Sequence, residues 1–345
     1  MTGQSLYPRD NCFIVAEMSG NHGGSFDLAK EIICAAKDAG ADAIKLQTYT
    51  ADTITLNSDL PDFRIPSENP WSSRKTLYDL YKKAFTPWEW HKELFEYATK
   101  LGLVIFSSPF DKSAVDLLEN LNTPMYKIAS PEITDIPLIK YVAETGKPVI
   151  LSAGIATKQD IILAIKTVRD TGNENITLCQ CTSAYPTPFS EMNLNAIGKV
   201  KEDFRCIPGL SDHSPGSVAP IVGVTLGAQF IEKHFITDRR IQTEDSFFSL
   251  DKDEFKQMVD DVRKAESSLG LDDFSLSKSK ASSRWGRRSL YIAAPIRKGE
   301  VFTAKHVRSV RPGLSLHPMH ETDIIGKVAK RDYIYGSRID EIEIL

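Results

Sequence analysis

Two histidines, His213 and His234, sit in segments rich in reactive side chains. The first lies in Gly-Leu-Ser-Asp-His-Ser at 209–214, the second in Phe-Ile-Glu-Lys-His-Phe at 230–235. The second segment alternates like a strand, so Phe230, Glu232 and His234 share one face. A carboxylate and an imidazole on one face, with a second imidazole nearby, suit a divalent metal that keeps an open coordination position. Such a metal can polarise a carbonyl.

These side chains need a scaffold that gathers strand ends. Eight short apolar runs fit strands: 12–16, 43–46, 103–107, 125–128, 149–151, 176–181, 206–210 and 228–233. Amphipathic stretches at 27–39, 88–100, 113–121, 158–169 and 216–226 lie between them. Apolar strands alternating with helices indicate a parallel sheet covered by helices. Eight units in one domain predict an α/β fold, a (β/α)8 TIM barrel, with a doubly wound open sheet as runner-up. No Gly-x-Gly-x-x-Gly follows the first strand, which disfavours a dinucleotide fold.

Active sites of such barrels lie at the C-terminal strand ends. In chain order those ends carry Glu17; Lys45 and Gln47; Ser108; Lys127 and Ser130; Ser152; Ser183 and Tyr185; Ser211 and His213; and Glu232 and His234. Ammonium groups with hydroxyls suit a phosphate or carboxylate ligand. Taken singly, a strand-end serine caps a helix and a strand lysine makes a structural ion pair. Convergence of all eight strands on one rim is what argues for a site joining a phosphorylated acid to a carbonyl compound.

Composition bounds the partners. The chain has 345 residues, 41% apolar and 26% charged, which is a globular composition. With 42 basic against 46 acidic residues and no basic stripe, nucleic acid is not expected as a partner. No apolar run spans a membrane and Met1 to Asp10 has no signal-peptide core, so a cytoplasmic location is expected. Five scattered cysteines argue against a disulfide framework, and Cys179 and Cys181 read as buried thiols.

Two regions break the barrel pattern. Residues 50–86 form a polar insertion containing Trp71 and Tyr78, either a functional loop or a tolerated one. After 270 the composition turns to Ser, Lys, Arg and Asp. The expected organisation is a catalytic barrel at 1–270, a linker at 271–287 and a small domain of short β pieces at 288–345.

In order along the chain, Ala-Glu17-x-x-x-Asn-His-x-Gly, Lys45-x-Gln-Thr, Ser-Ser108-Pro-Phe-Asp, Lys127-Ile-Ala-Ser130, Leu-Ser152-x-Gly, Cys-Thr-Ser183-x-Tyr-Pro, Gly-Leu-Ser211-Asp-His213 and Glu232-Lys-His234-Phe stand out. Together they resemble the sialic acid synthase family. The tail, with Arg288-Ser-Leu-Tyr, Lys298-Gly-Glu and Arg311-Pro-Gly, resembles that family's C-terminal antifreeze-like (SAF) domain. The family condenses phosphoenolpyruvate with an open-chain acetamido sugar to make a nonulosonic acid.

The resemblance implies roles residue by residue. Lys45, Ser108, Lys127, Ser130, Ser152, Ser183 and Ser211 match phosphoenolpyruvate-binding positions. His213 and His234 match the ligands of a divalent metal, manganese first, with magnesium or cobalt as substitutes. Glu17 and Glu232 match acidic residues near the reacting carbons, and which of them is the base stays open. Gln47, Tyr185 and Asp245 match positions facing the sugar. Arg311 matches an arginine that the tail of one subunit extends into its partner's site, which implies a domain-swapped homodimer. Ser108 stands where members often carry Thr, and Ser183 where they often carry Asn.

Residues 80–90 and 245–250 point to the branch whose sugar is 2,4-diacetamido-2,4,6-trideoxy-altrose. N-acetylneuraminate or legionaminate synthesis is the alternative. Phe247 and Phe248 are expected to give that less polar sugar an apolar wall. Outside the family, a metal-dependent aldolase is the rival enzyme, and a sugar- or ice-binding tail on an inert barrel is the rival non-enzyme reading.

Overall fold

The computed structural model describes residues 11–270 and 273–340. The chain divides into two compact units, Met1–Gly270 and Leu271–Leu345.

In the first unit, eight strands close into a barrel in sequence order, with parallel pairing between neighbours. They are β1 (Phe13–Glu17), β2 (Ala43–Thr48), β3 (Val104–Pro109), β4 (Tyr126–Ile128), β5 (Val149–Ser152), β6 (Ile176–Cys181), β7 (Ile207–Asp212) and β8 (Phe230–His234). Each lies within two residues of the expected bounds. The (β/α)8 barrel is therefore present, and the open sheet is not.

Strand alternation sorts the side chains into two cores. Ile14, Ile44, Leu46, Ile105, Ile128, Leu151, Leu178, Leu210 and Ile231 point outward into the main apolar core. Phe13, Val15, Phe106, Met125, Ile150, Cys179 and Phe230 point inward and plug the barrel. The inward positions nearer the C-terminal strand ends are polar. Gly209 permits this packing: a Cβ there would lie 2.7 Å from Cys179 Sγ. Burial pushes both Cys179 and Cys181 thiols up, which suits inert structural thiols.

The barrel helices are α1 (Phe26–Asp38), α4 (Trp88–Lys100), α5 (Lys112–Asn120), α6 (Ile136–Ala143), α7 (Lys158–Asp170), α8 (Ile197–Phe204), α9 (Val218–Thr225) and α10 (Lys252–Leu269). The insertion at 50–86 is more ordered than its polar composition suggests. It holds α2 (Ala51–Ile54) and α3 (Leu77–Ala84). Thr76 caps α3 by accepting from Asp79 N, and Leu77, Leu80, Tyr81 and Ala84 fall on one helical face. Among the described residues, no helix is long and apolar enough to cross a membrane.

The second unit has its own core of Leu290, Ile292, Ile296, Phe302, Val307 and Tyr333. β9 (Ser289–Ile292) pairs antiparallel with β10 (Val307–Val310). Where the linker was expected, a short helix, Lys278–Ser282, and a 3-10 turn, Ser283–Gly286, occur.

Candidate active site

The strands contribute inward polar residues to one rim, except β6 (Ile176–Cys181), whose contribution, Ser183, comes from the loop that follows it. Register sets Glu17 beside Lys45 on β2 and beside His234 on β8, and Ser211 beside Glu232. A chain of alternating charge results, Glu17–Lys45–Glu232–Lys127. Lys45 Nζ pairs with Glu17, donates to Ser108 Oγ at 3.1 Å and lies 3.7 Å from Glu232. Lys127 Nζ donates to both Glu232 oxygens, at 2.8 and 3.0 Å. Gln47 Nε2 donates to Glu17 at 2.9 Å, and Ser211 Oγ to Glu232 at 3.4 Å.

The two carboxyls are pushed apart. Burial raises Glu17 to about 7 against the pull of Lys45, and the charge of Glu232 adds to the rise. Burial alone would raise Glu232 as well, but Lys127 and Lys45 hold it below its ordinary value. Lys127 rises to about 12 because Glu232 outweighs burial. One carboxyl is thus a fixed anion and the other can take a proton near neutral pH.

Hydroxyls gather beside this chain. Ser152 Oγ and Ser183 Oγ are buried without hydrogen-bond partners. Ser130 Oγ accepts from Ile155 N at 2.8 Å, leaving its own proton to donate. Gly154 keeps the space between them open, since a Cβ there would collide with Ser183 Oγ and lie 2.8 Å from Ser130 Oγ. Orphaned buried hydroxyls next to two ammonium groups have the chemistry of an anion cradle.

The histidines fit a metal. His213 Nδ1 donates to the Thr182 carbonyl at 3.0 Å, which leaves Nε2 as a free lone pair. His234 Nδ1 is buried without a partner. The rings lie 5.3 Å apart between centroids. Burial lowers His213 to about 4 and His234 well below its ordinary value, so both are neutral bases at neutral pH. Among the described residues, no group of three or more His, Cys, Asp or Glu could hold a metal. A metal on this pair would therefore leave most positions to water and substrate.

A cavity of about 310 Å³ opens beside His234 and reaches Gln47, Tyr185 and Asp245. Tyr185 tilts over His213 with centroids 4.3 Å apart, and Phe248 packs on His234 at 4.6 Å. Asp245 accepts from Gly20 N at 3.1 Å, and burial raises its carboxyl. Of the expected apolar pair, Phe248 lines the cavity, whereas Phe247 is 48% exposed and lies outside its lining. Arg311 is exposed in the second unit, just after β10.

The strand-end reading missed three contributors. Glu132, two residues past Ser130, lines the cavity with Oε2 buried and unpartnered, and burial lifts its carboxyl to about 7. Trp71 and Arg74 of the insertion are held by Glu244: the indole donates to its carbonyl at 2.8 Å and the guanidinium pairs with its carboxylate. Reading the β4 motif two residues further would have found Glu132. The Glu244 contacts join positions distant in sequence and leave no local signal.

Fold and site define an enzyme of the TIM-barrel class. Residues 32–273 match the NeuB family and residues 287–337 match the SAF domain. The chain is 47% identical over 329 residues to the pseudaminic acid synthase of Campylobacter jejuni (strain 81-176), covering 95% of each. It is 47% identical over 319 residues to the pseudaminic acid synthase of Helicobacter pylori, covering 92% of this chain and 93% of that one. A crystal structure of N-acetylneuraminic acid synthetase from Leptospira borgpetersenii, in complex with citrate, superposes with a TM-score of 0.69 at 31% identity, covering 79% of this chain and 90% of that one. The chain belongs to the NeuB family. It is a transferase that acts by phosphoenolpyruvate-dependent condensation, and within the family its chemistry best matches that of the pseudaminic acid synthases.

Proposed function

We propose that this enzyme joins phosphoenolpyruvate to open-chain 2,4-diacetamido-2,4,6-trideoxy-altrose and releases phosphate by C–O cleavage. The observation that carries this reading is the pair of oppositely perturbed carboxyls, Glu17 and Glu232, bridged by Lys45 beside two metal-ready imidazoles.

Lys45 and Lys127 offset the charge of the phosphate and carboxylate, and Ser108, Ser130, Ser152, Ser183 and Ser211 donate to their oxygens. His213 and His234 would hold a divalent cation, manganese first, which would supply Lewis-acid polarisation of the aldehyde. The C2=C3 electron pair of phosphoenolpyruvate bonds C3 to the aldehyde carbon, and the aldehyde oxygen, left as an alkoxide, takes a proton from water to end as a hydroxyl. The fixed anion of Glu232 stabilises the positive charge left at C2. Water adds there while Glu17 takes its proton. Phosphate then leaves with its bridging oxygen, taking the proton of the new C2 hydroxyl, whose oxygen becomes the ketone carbonyl. Gln47, Tyr185, Asp245 and Glu132 face the sugar.

Arg311 serves the partner's site in a swapped homodimer. Its exposure in the tail unit and the SAF match support that reading. Five free cysteines support a cytoplasmic setting.

The test follows phosphate release from phosphoenolpyruvate with the diacetamido sugar, its legionaminate-type counterpart or N-acetylmannosamine, with manganese present and after chelation. The diacetamido altrose should give the highest kcat/KM, and chelation should abolish turnover. Phosphoenolpyruvate labelled at its bridging oxygen should deliver the label to phosphate. Label retained in the sugar product would mean P–O cleavage and sink the mechanism.

A further inference from the structure

The rim accounts for the aldehyde and for phosphoenolpyruvate. It leaves the opposite side of the cavity unexplained. In the closed barrel β3 and β4 lie across from β7 and β8, which place the histidines. Phe110, just after β3, lines this far side. Ile54, Ile65, Leu77, Leu80 and Tyr81 of the insertion also line the cavity. Tyr49 closes a corner, edge-on to Tyr81 at 5.6 Å and to Phe110 at 5.1 Å. Apart from Asn69, the lining that the insertion supplies is apolar or aromatic.

Such a wall is a poor surface for a polyol. Against its aliphatic part, Ile54, Ile65, Leu77 and Leu80, a hydroxyl loses water and gains no partner. A methyl group loses nothing there and gains contact. His234 and these residues line one cavity, so a sugar held there by its aldehyde meets this wall with the rest of its chain.

We infer that the insertion, residues 50–86, is the specificity-determining surface. It takes the methyl at C6 and the acetyl methyl at C4, and disfavours sugars bearing hydroxyls at those carbons. The inference rests on the proposed reaction and assigns its sugar choice to Ile65, Leu77 and their neighbours rather than to the 245–250 segment. Trp71 holds the insertion against both Phe247 and Phe248 at 6.0 and 6.3 Å, so the 245–250 segment acts as its support.

Ile65 and Leu77 are half-buried cavity residues, so polar replacements there can be made with little damage to the core. The experiment compares wild type with Ile65→Gln and Leu77→Gln on the diacetamido trideoxy sugar and on N-acetylmannosamine. Each variant should lower kcat/KM for the trideoxy sugar by roughly tenfold or more. Turnover of N-acetylmannosamine should hold or rise, and KM for phosphoenolpyruvate should stay unchanged. An equal fall on both sugars, or no fall on either, overturns the inference. If circular dichroism shows a glutamine variant unfolded, the smaller polar replacements Ile65→Thr and Leu77→Thr take its place, with a smaller shift in the same ratio expected and an unchanged ratio overturning the wall. Wild-type enzyme that prefers N-acetylmannosamine would instead overturn the proposed reaction, and the wall with it.

Discussion

Lys127 on β4 reaches across the barrel to Glu232 on β8, its Nζ 2.8 and 3.0 Å from the two carboxylate oxygens. Both side chains are buried, so the pair crosses the barrel interior above the apolar plug. Lys127→Met would leave Glu232 with only the longer contacts to Lys45 and Ser211. That change should destabilise the fold by about 3 kcal/mol and remove phosphate release. Adding Glu232→Gln should restore much of the stability in a denaturant titration and none of the activity. Recovered turnover in the double variant would show the pair to be structural.

Gly154 offers a separate probe of the hydroxyl cradle. Gly154→Ala would push a methyl toward Ser183 Oγ and Ser130 Oγ. KM for phosphoenolpyruvate should rise by roughly tenfold or more, with KM for the sugar little changed. Steady-state kinetics with each substrate varied in turn decide this. A rise confined to the sugar would move the anion site elsewhere.

Arg311 can be tested by mixing two inactive chains. Lys127→Met and Arg311→Ala subunits should each be inactive alone. In a swapped dimer, one site of a mixed pair combines an intact barrel with an intact arginine. Refolding the two together should return roughly a quarter of wild-type activity. No recovery, with mixed dimers verified by mass spectrometry, would place Arg311 in its own subunit's site.

Two other histidines link the fold to pH. His22 Nε2 contacts Thr86 Oγ1 at 3.2 Å, and His91 Nε2 contacts Thr48 Oγ1 at 2.9 Å, so both anchor the ends of the insertion. Burial lowers each to about 4. Between pH 6.5 and 4 the unfolded chain binds protons that the folded chain refuses. Their contribution is therefore complete above pH 6.5 and is lost as pH falls toward 4. At pH 5 the loss should be about 2 kcal/mol per histidine. Urea titrations at pH 7 and 5 should show a smaller drop for His22→Gln/His91→Gln than for wild type. Equal drops would contradict the burial argument.

The sequence by itself determined the barrel, its eight strands and the polar residues of the rim, because strand alternation is local and burial on both faces leaves long apolar runs. Glu17, Lys45, Lys127, Glu232 and the two histidines were legible as strand-end residues for the same reason. Tertiary structure alone decided which of them meet. The bridge from Lys127 to Glu232 joins strands on opposite sides of a closed sheet, and nothing near either residue encodes it. Closure also split the two carboxyls, since their charge states depend on which lysines burial brings to each. The cavity's far wall belongs to the same category. Residues 50–86 look polar in sequence, yet helix α3 and the Trp71 anchor turn their few apolar side chains inward.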